Sequence, residues 1–507
     1  MQGHHHRHGG DRHYSAERFR LHYVGNKPNV IISGVAFVFL LGFFLYIWAA
    51  MLGITEPVNE KLLTETREFP INCLFGSLTR TCPKKYYPPD YHVPPETPLD
   101  IAYNCPQYFR WIYEDLKPWR ETGITLEMVE RANRTANFRL VILNGRAYVE
   151  TYTQAYQTRD IFTLWGILQL LRRYPGRVAD LDLMFDCLDW PTIKSSDYRD
   201  PNSPAPPPLF RYCGDDETLD IAFPDWSFWG WPEINLRPWE SLLYDLSAAN
   251  RKAAWKDREP YAYWKGNPDV TEKRMKLLKC NVSDNLDWNA RLYAQDWNIA
   301  TEQGFNDTDL TEQCNHRYKI YIEGSAYAVS QRNILACNSL ALLVKPRYYN
   351  FFSRSLVPIK HYWPIRDDDT CRSIKFAVDW GNSHKKKAQE IGNAASAFVE
   401  EDLKMDYVYD YMFHLLNQYA KLLRYKPSIP ENARELCSEA IACSADGLQK
   451  SFMLESMASG PKITNPCFPP IPFYESELDS MFRQKVSTIQ QVEHWENKYW
   501  ENQEPKT

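Results

Sequence analysis

"YKIYIEGSAYAVSQRNILACNSLALLVKPRYYNFF", residues 318–352, reads as a strand, a turn at Glu323-Gly324-Ser325, the start of a helix and a second apolar strand. Strand, crossover helix and strand in that order belong to a parallel sheet. The helix carries Ser330 and Arg332, and Lys345 and Arg347 follow the second strand. Where a glycine turn enters a helix, backbone N–H groups gather and suit an anionic group such as a phosphate.

Upstream, "YAYWKGNPDVTEKRMKLL" (261–278) repeats the pattern. A strand ends at Lys265-Gly266-Asn267-Pro268 and a helix carrying Arg274 follows. Two such turns facing one cleft point to a nucleotide-bearing ligand more strongly than either alone. A helix near 239–255 opens this second lobe, and "DYVYDYMFHLLNQYAKLLRY" (406–425) is expected to close it, giving a lobe over 235–430. A first lobe, 98–234, starts with "FRLVILNGRAYVETY" (138–152), where Asn144-Gly145 between apolar runs predicts a hairpin. A helix over 161–174 and a buried strand "LDLMF" (181–185) come next. The fold class is α/β, with two Rossmann-like lobes around a cleft. A tail, 431–507, holds Cys437 and Cys443 as candidates to pair, and a polar amphipathic helix over 475–502.

Chemistry gathers near the first lobe's strand ends. Asp189 lies just beyond 181–185 and before Trp190-Pro191. Its carboxylate either caps a turn or serves as a general base at the cleft mouth. Asp180-Leu-Asp182 spells a possible metal motif, but it starts a strand rather than ending one. "FPDWSFWGWPEINLRPWE" (223–240) sets Trp226, Trp229 and Trp231 among prolines and a glycine, so no regular helix forms there. Those rings either stack on a sugar or pack the two lobes together. Asp225 and Glu233 are carboxylates within reach of substrate hydroxyls or of backbone caps. Asp367 to Asp369 read as a solvated loop.

The ends of the chain place it in a compartment. Residues 30–54, "VIISGVAFVFLLGFFLYIWAAMLGI", carry no charge and are long enough to cross a bilayer as a helix. Arg7, Arg12, Arg18, Arg20 and Lys27 precede them, and Glu56, Glu60, Glu65 and Glu68 follow, which predicts a cytosolic tail (1–29) and a type II anchor. His4, His5, His6 and His8 lack carboxylate or cysteine partners and read as polar tail rather than a metal site. Residues 55–97 form a proline-rich stem. All twelve cysteines lie beyond the anchor with no CxxC pair, so disulfides are expected rather than zinc. The sequons at Asn133, Asn281 and Asn306 share that side. The expected location is the Golgi lumen. A net charge of −5 without a basic stripe argues against a nucleic-acid partner.

The order "DLDLMFDCLDWP", "PDWSFWGWPE", "YWKGNP" and "CNHRYKIYIEGSAYAVSQRNILACNSLALL", followed by "HYWPIRDDDTCRSIKFAVDWGNSHKKKAQEIG" (361–392), resembles the Rumi-type protein O-glucosyltransferases. Fungal capsule-associated xylosyltransferases are related, and the land-plant branch of the family is most similar. The resemblance covers roughly residues 100–425. It implies a GT-B fold, a UDP-sugar donor, inversion at the anomeric carbon and no divalent metal or other cofactor. It places the catalytic aspartate on Asp189, the acceptor-side aromatic segment on Pro224 to Trp231, and a disulfide on Cys314 and Cys337. The chain departs from the family where Pro268 and Ser330 replace phosphate-binding arginines. Lys265, Arg274 and Arg332 are then expected to hold the diphosphate, beside Gly266, Asn267, Gly324 and Ser325.

The reading is a metal-independent transferase that moves glucose or xylose onto a glycan, such as a plant cell-wall polysaccharide, or onto a protein hydroxyl, alone or in a Golgi complex. A glycoside hydrolase using Asp189 with Asp225 or Glu233, and a non-catalytic carbohydrate-binding scaffold, are the alternatives.

Overall fold

The computed structural model describes residues 103–503 apart from 201 and 463, together with 69–71, 73 and 82. The expected anchor, the cytosolic tail and most of the stem lie outside the described residues. Among the described residues no helix is long and apolar enough to cross a membrane.

Two sheets organise the chain. Strands β1 (Phe138–Leu143), β2 (Arg146–Thr151), β3 (Leu181–Phe185), β4 (Leu209–Arg211) and β5 (Ile221–Ala222) form the first with β11 (Arg434–Leu436), in the order β11-β2-β1-β3-β4-β5. Asn144 and Gly145 both take positive φ, 52° and 73°, so their two-residue turn matches the strand twist and closes the predicted hairpin, pairing Leu143 with Arg146. That hairpin also corrects the expected lobe. β1 runs antiparallel to both β2 and β3, and only β3, β4 and β5 form a parallel run. The helix Arg159–Arg173 crosses from β2 to β3, burying Phe162, Trp165 and Leu170.

The second sheet is wholly parallel: β6 (Glu259–Gly266), β7 (Ala290–Ala294), β8 (His316–Tyr321), β9 (Leu340–Val344) and β10 (Trp363–Ile365), in the order β10-β9-β8-β6-β7. This is a doubly wound order. The chain leaves β6 toward one edge and β8 toward the other, so a crevice opens where their carboxyl ends diverge.

Two expectations about the C-terminal part are corrected. The helix Met405–Leu422 does not close the second lobe but packs on β3 and on helix Arg159–Arg173 of the first. Tyr419 donates to the Asp182 carbonyl at 3.0 Å, and Tyr174 donates to Asp410. Cys437 and Cys443 do not pair with each other: Cys82–Cys437 and Cys73–Cys443 tie this region back to the stem. Cys105–Cys467, Cys280–Cys371 and the expected Cys314–Cys337 complete five disulfides, while Cys187 and Cys213 stay free and buried instead of joining the set. The polar helix Glu475–Glu501 forms as expected and reaches both lobes. Arg110 donates to Glu477 at its start, and Tyr499 donates to Asp379 near its end.

Candidate active site

Both glycine turns flank the crevice between β6 and β8. Arg274 stitches them together, donating to the carbonyls of Asn267 (3.1 Å), Glu323 (3.0 Å) and Ile322 (3.3 Å). Neither glycine has positive φ; space decides the residue type instead. A Cβ on Gly266 would meet the Trp264 indole at 2.7 Å, and one on Gly324 would meet Arg274 and Val270 at 3.3 Å. Lys265 lines the crevice with its ammonium on the Asp307 carbonyl. Asn267, Ser325 and Ser330 line it too.

The crevice opens into a cleft of about 1270 Å³ that the first lobe walls with Asp189, Arg159, Trp190, Trp226 and Trp231. Asp189 is four residues past β3 and half-buried. Arg159, the first residue of its helix, donates from Nη1 to Asp189 Oδ1 at 2.7 Å and to the Cys187 carbonyl at 3.2 Å. The loop itself is fixed from below. Arg211 reaches the carbonyls of Leu188 and Trp190, and Cys213 Sγ donates to the Asp189 carbonyl at 3.1 Å. A carboxylate held at a cleft mouth with one oxygen engaged and the other unclaimed by a hydrogen bond among the described residues can accept a proton.

Several expected site residues are elsewhere. Arg332 does not line the cleft: it is 1% exposed, lies 4.2 Å over Phe228, pairs with Asp225 at 3.4 Å and donates to Ser227 at 2.8 Å. Burial lowers its pKa, with Asp225 opposing. Asp225 is spent on that pair and on capping Ser227, so it neither binds acceptor nor completes a hydrolase pair. Trp229 is core, wedged against Gly166 and donating to Tyr409 at 2.9 Å. Trp226 and Trp231 do reach the cleft, their rings 4.9 Å apart in a T. Asp182 is buried under a bidentate Arg139, and Asp180 accepts from the Asn144 amide, so neither offers itself to a metal. Cys105, His414 and Cys467 come together, but the two sulfurs form a disulfide. Of the sequon asparagines, Asn133 and Asn306 are exposed, whereas Asn281 exchanges both amide groups with the Leu292 backbone.

The description "Glycosyl transferase family 90" matches residues 101–496. The chain belongs to glycosyl transferase family 90. It is 26% identical over 333 residues to an O-glucosyltransferase rumi homolog of Anopheles gambiae, covering 64% of this chain and 80% of that protein. It is 25% identical over 341 residues to protein O-glucosyltransferase 1 of Homo sapiens, covering 64% and 82%. With O-glucosyltransferase rumi of Drosophila melanogaster the figures are 24% over 352 residues, 66% and 82%. This family 90 chain is a UDP-sugar-dependent O-glycosyltransferase.

Arg159 and Lys319 are among the residues of the family 90 cleft that escaped sequence reasoning. Arg159 had one legible signal, a cation on the first turn of a helix, where the macrodipole disfavours it unless an anion is near. Lys319 on β8 is 4% exposed and lines the cleft; its ammonium donates to the Gln313 amide oxygen at 3.4 Å and lies 5.4 Å from the Tyr263 ring centroid. Burial, then Arg258, lowers its pKa to about 7. An isolated lysine in a strand gives no such warning.

Proposed function

We propose that this chain transfers a sugar, glucose or xylose, from a UDP-sugar to a hydroxyl of a glycan or protein, with inversion, and that Asp189 is the general base. One observation carries the reading: Asp189 of the first lobe and the two glycine turns of the second line a single cleft. The relatives are named as O-glucosyltransferases, which favours glucose.

In this mechanism the acceptor hydroxyl gives its proton to the Asp189 carboxylate as its oxygen bonds to the anomeric carbon. The bond from that carbon to the phosphate oxygen breaks in line, and UDP leaves with the electron pair. Turn amides near Gly266 and Gly324 and the Lys265 ammonium meet the charge that develops on the diphosphate. Arg274 contributes by holding the turns, not by direct contact. No divalent metal is required in this scheme, because the turn amides and Lys265 meet the diphosphate charge, and Asp180 and Asp182 are engaged by Asn144 and Arg139. The overall arrangement is proposed to be GT-B. Five disulfides support a secretory lumen, and a Golgi type II placement through residues 30–54 is part of the proposal.

The test is UDP release from a panel of UDP-sugars with and without EDTA, beside Asp189→Asn. EDTA-resistant release from one donor, lost in the variant, is the expected result. Equal release by Asp189→Asn would remove the aspartate from the base role.

A further inference from the structure

Most buried polar atoms in this chain have partners, and exceptions matter most where they face a cavity. Besides Arg159, whose Nε is also unpartnered but whose Nη1 already holds Asp189, three side chains that line the cleft, each at least nine-tenths buried, hold such atoms: Trp226 Nε1, Tyr327 Oη and Asn333 Oδ1, with no hydrogen-bond partner among the described residues. They are 2%, 7% and 6% exposed. Separate elements supply them, yet one hub gathers them. Asp225 precedes Trp226 and pairs with Arg332, which precedes Asn333 on helix Ser330–Leu335. The Asp225 charge also acts on the Tyr327 phenol, which burial keeps protonated. The hub adjoins the base, because the Arg159 guanidinium that holds Asp189 lies 4.4 Å from the centroid of the Trp226 ring.

We propose that Trp226, Tyr327 and Asn333 form the recess that reads the hydroxyls of the sugar being transferred. The inference rests on the transferase reading above. An indole N–H donates, a phenol donates or accepts, and an amide oxygen accepts. A diphosphate, which only accepts, has no use for the amide oxygen. Sugar hydroxyls both donate and accept, and the reacting anomeric carbon has to lie near Asp189. Buried polar groups left unpaired when a hydroxyl is missing give strong discrimination against deoxy analogues. The recess therefore sets which UDP-sugar is used, while the glycine turns hold what all UDP-sugars share.

The experiment uses the full chain, its Tyr327→Phe and Trp226→Phe variants, and four probes: UDP, UDP-glucose, UDP-xylose and deoxy analogues of whichever sugar nucleotide binds better. Calorimetry should show UDP binding unchanged in both variants, with the accepted UDP-sugar weakened about tenfold or more per lost hydrogen bond. One deoxy donor should bind wild type and Tyr327→Phe alike, because the hydroxyl and its partner are then both absent. Apo Tyr327→Phe should melt no lower than wild type, since an unpaired buried polar atom has been removed with little change in shape. If UDP and the UDP-sugar weaken together, or neither weakens, or every deoxy donor responds alike, the recess does not read the sugar. A wild type that binds UDP but gains nothing from either sugar also overturns it. Absence of UDP binding would instead overturn the transferase reading itself.

Discussion

Arg159 Nη1 stands 2.7 Å from Asp189 Oδ1, and the same guanidinium is 4.4 Å from the centroid of the Trp226 ring. The arginine is buried and the aspartate half-exposed, so the pair is less an exposed ion pair than a clamp on one carboxylate oxygen. In the proposed mechanism its work is orientation: the unclamped oxygen is left to face an acceptor. Arg159→Gln should lower kcat about 10- to 100-fold, the scale at which small misplacement of a reacting group acts. Donor KM should change less than kcat, because Arg159 holds Asp189 and makes no hydrogen bond to the glycine turns that meet the diphosphate. Steady-state kinetics with varied donor checks this; a raised donor KM at unchanged kcat would make Arg159 a donor ligand instead.

Arg332 and Asp225 make the opposite kind of pair, closed off from the cleft. Removing one partner strands a buried charge, so Arg332→Met should destabilise the chain by about 3–5 kcal/mol. Asp225→Asn in the same chain should recover much of that loss, since the stranded charge is gone. Urea unfolding of the two single variants and the double variant measures the coupling. The UDP affinity of folded Arg332→Met should match wild type, and a selective loss of UDP binding at intact stability would return this arginine to the diphosphate.

Cys314–Cys337 closes a loop with a sequence separation of 23 that contains β8, the Glu323-Gly324-Ser325 turn and helix Ser330–Leu335. By the loop-entropy model the double Cys→Ser variant should be less stable by about 3 kcal/mol. The same segment supplies half of the crevice, so UDP affinity should fall with stability rather than stay fixed. Unfolding and calorimetry on one preparation test whether the two losses travel together.

Local chemistry made much of this legible. Asn144-Gly145 dictates a hairpin, and glycine turns after two apolar strands mark both sides of the switch point. The place of Asp189 just after a strand puts it at the cleft mouth. What stayed hidden depended on partners far along the chain. Nothing near Arg332 announces that Asp225, 107 residues away, will claim it. Nothing near Trp229 separates a ligand platform from a core ring donating to Tyr409, 180 residues on. The return of helix Met405–Leu422 to the first sheet is likewise a tertiary choice, since its apolar face would fit either lobe.

Lys319 makes the chain's stability depend on pH. Its pKa is lowered from 10.5 to about 7 by burial first and by Arg258 second. The folded chain must therefore carry an unfavourable buried ammonium below about pH 7, whereas between there and the unfolded value only the unfolded chain is protonated. Stability accordingly rises as pH increases from about 7 toward 10.5 and is lowest, for this group, on the acid side. Lys319→Met removes the term, so it should stabilise the chain by up to about 5 kcal/mol below pH 7, with the gain shrinking as pH rises. Urea midpoints of wild type and variant at about pH 6 and about pH 9.5 decide it. A gain equal at both would mean that Lys319 keeps its ordinary pKa and that packing alone explains the difference.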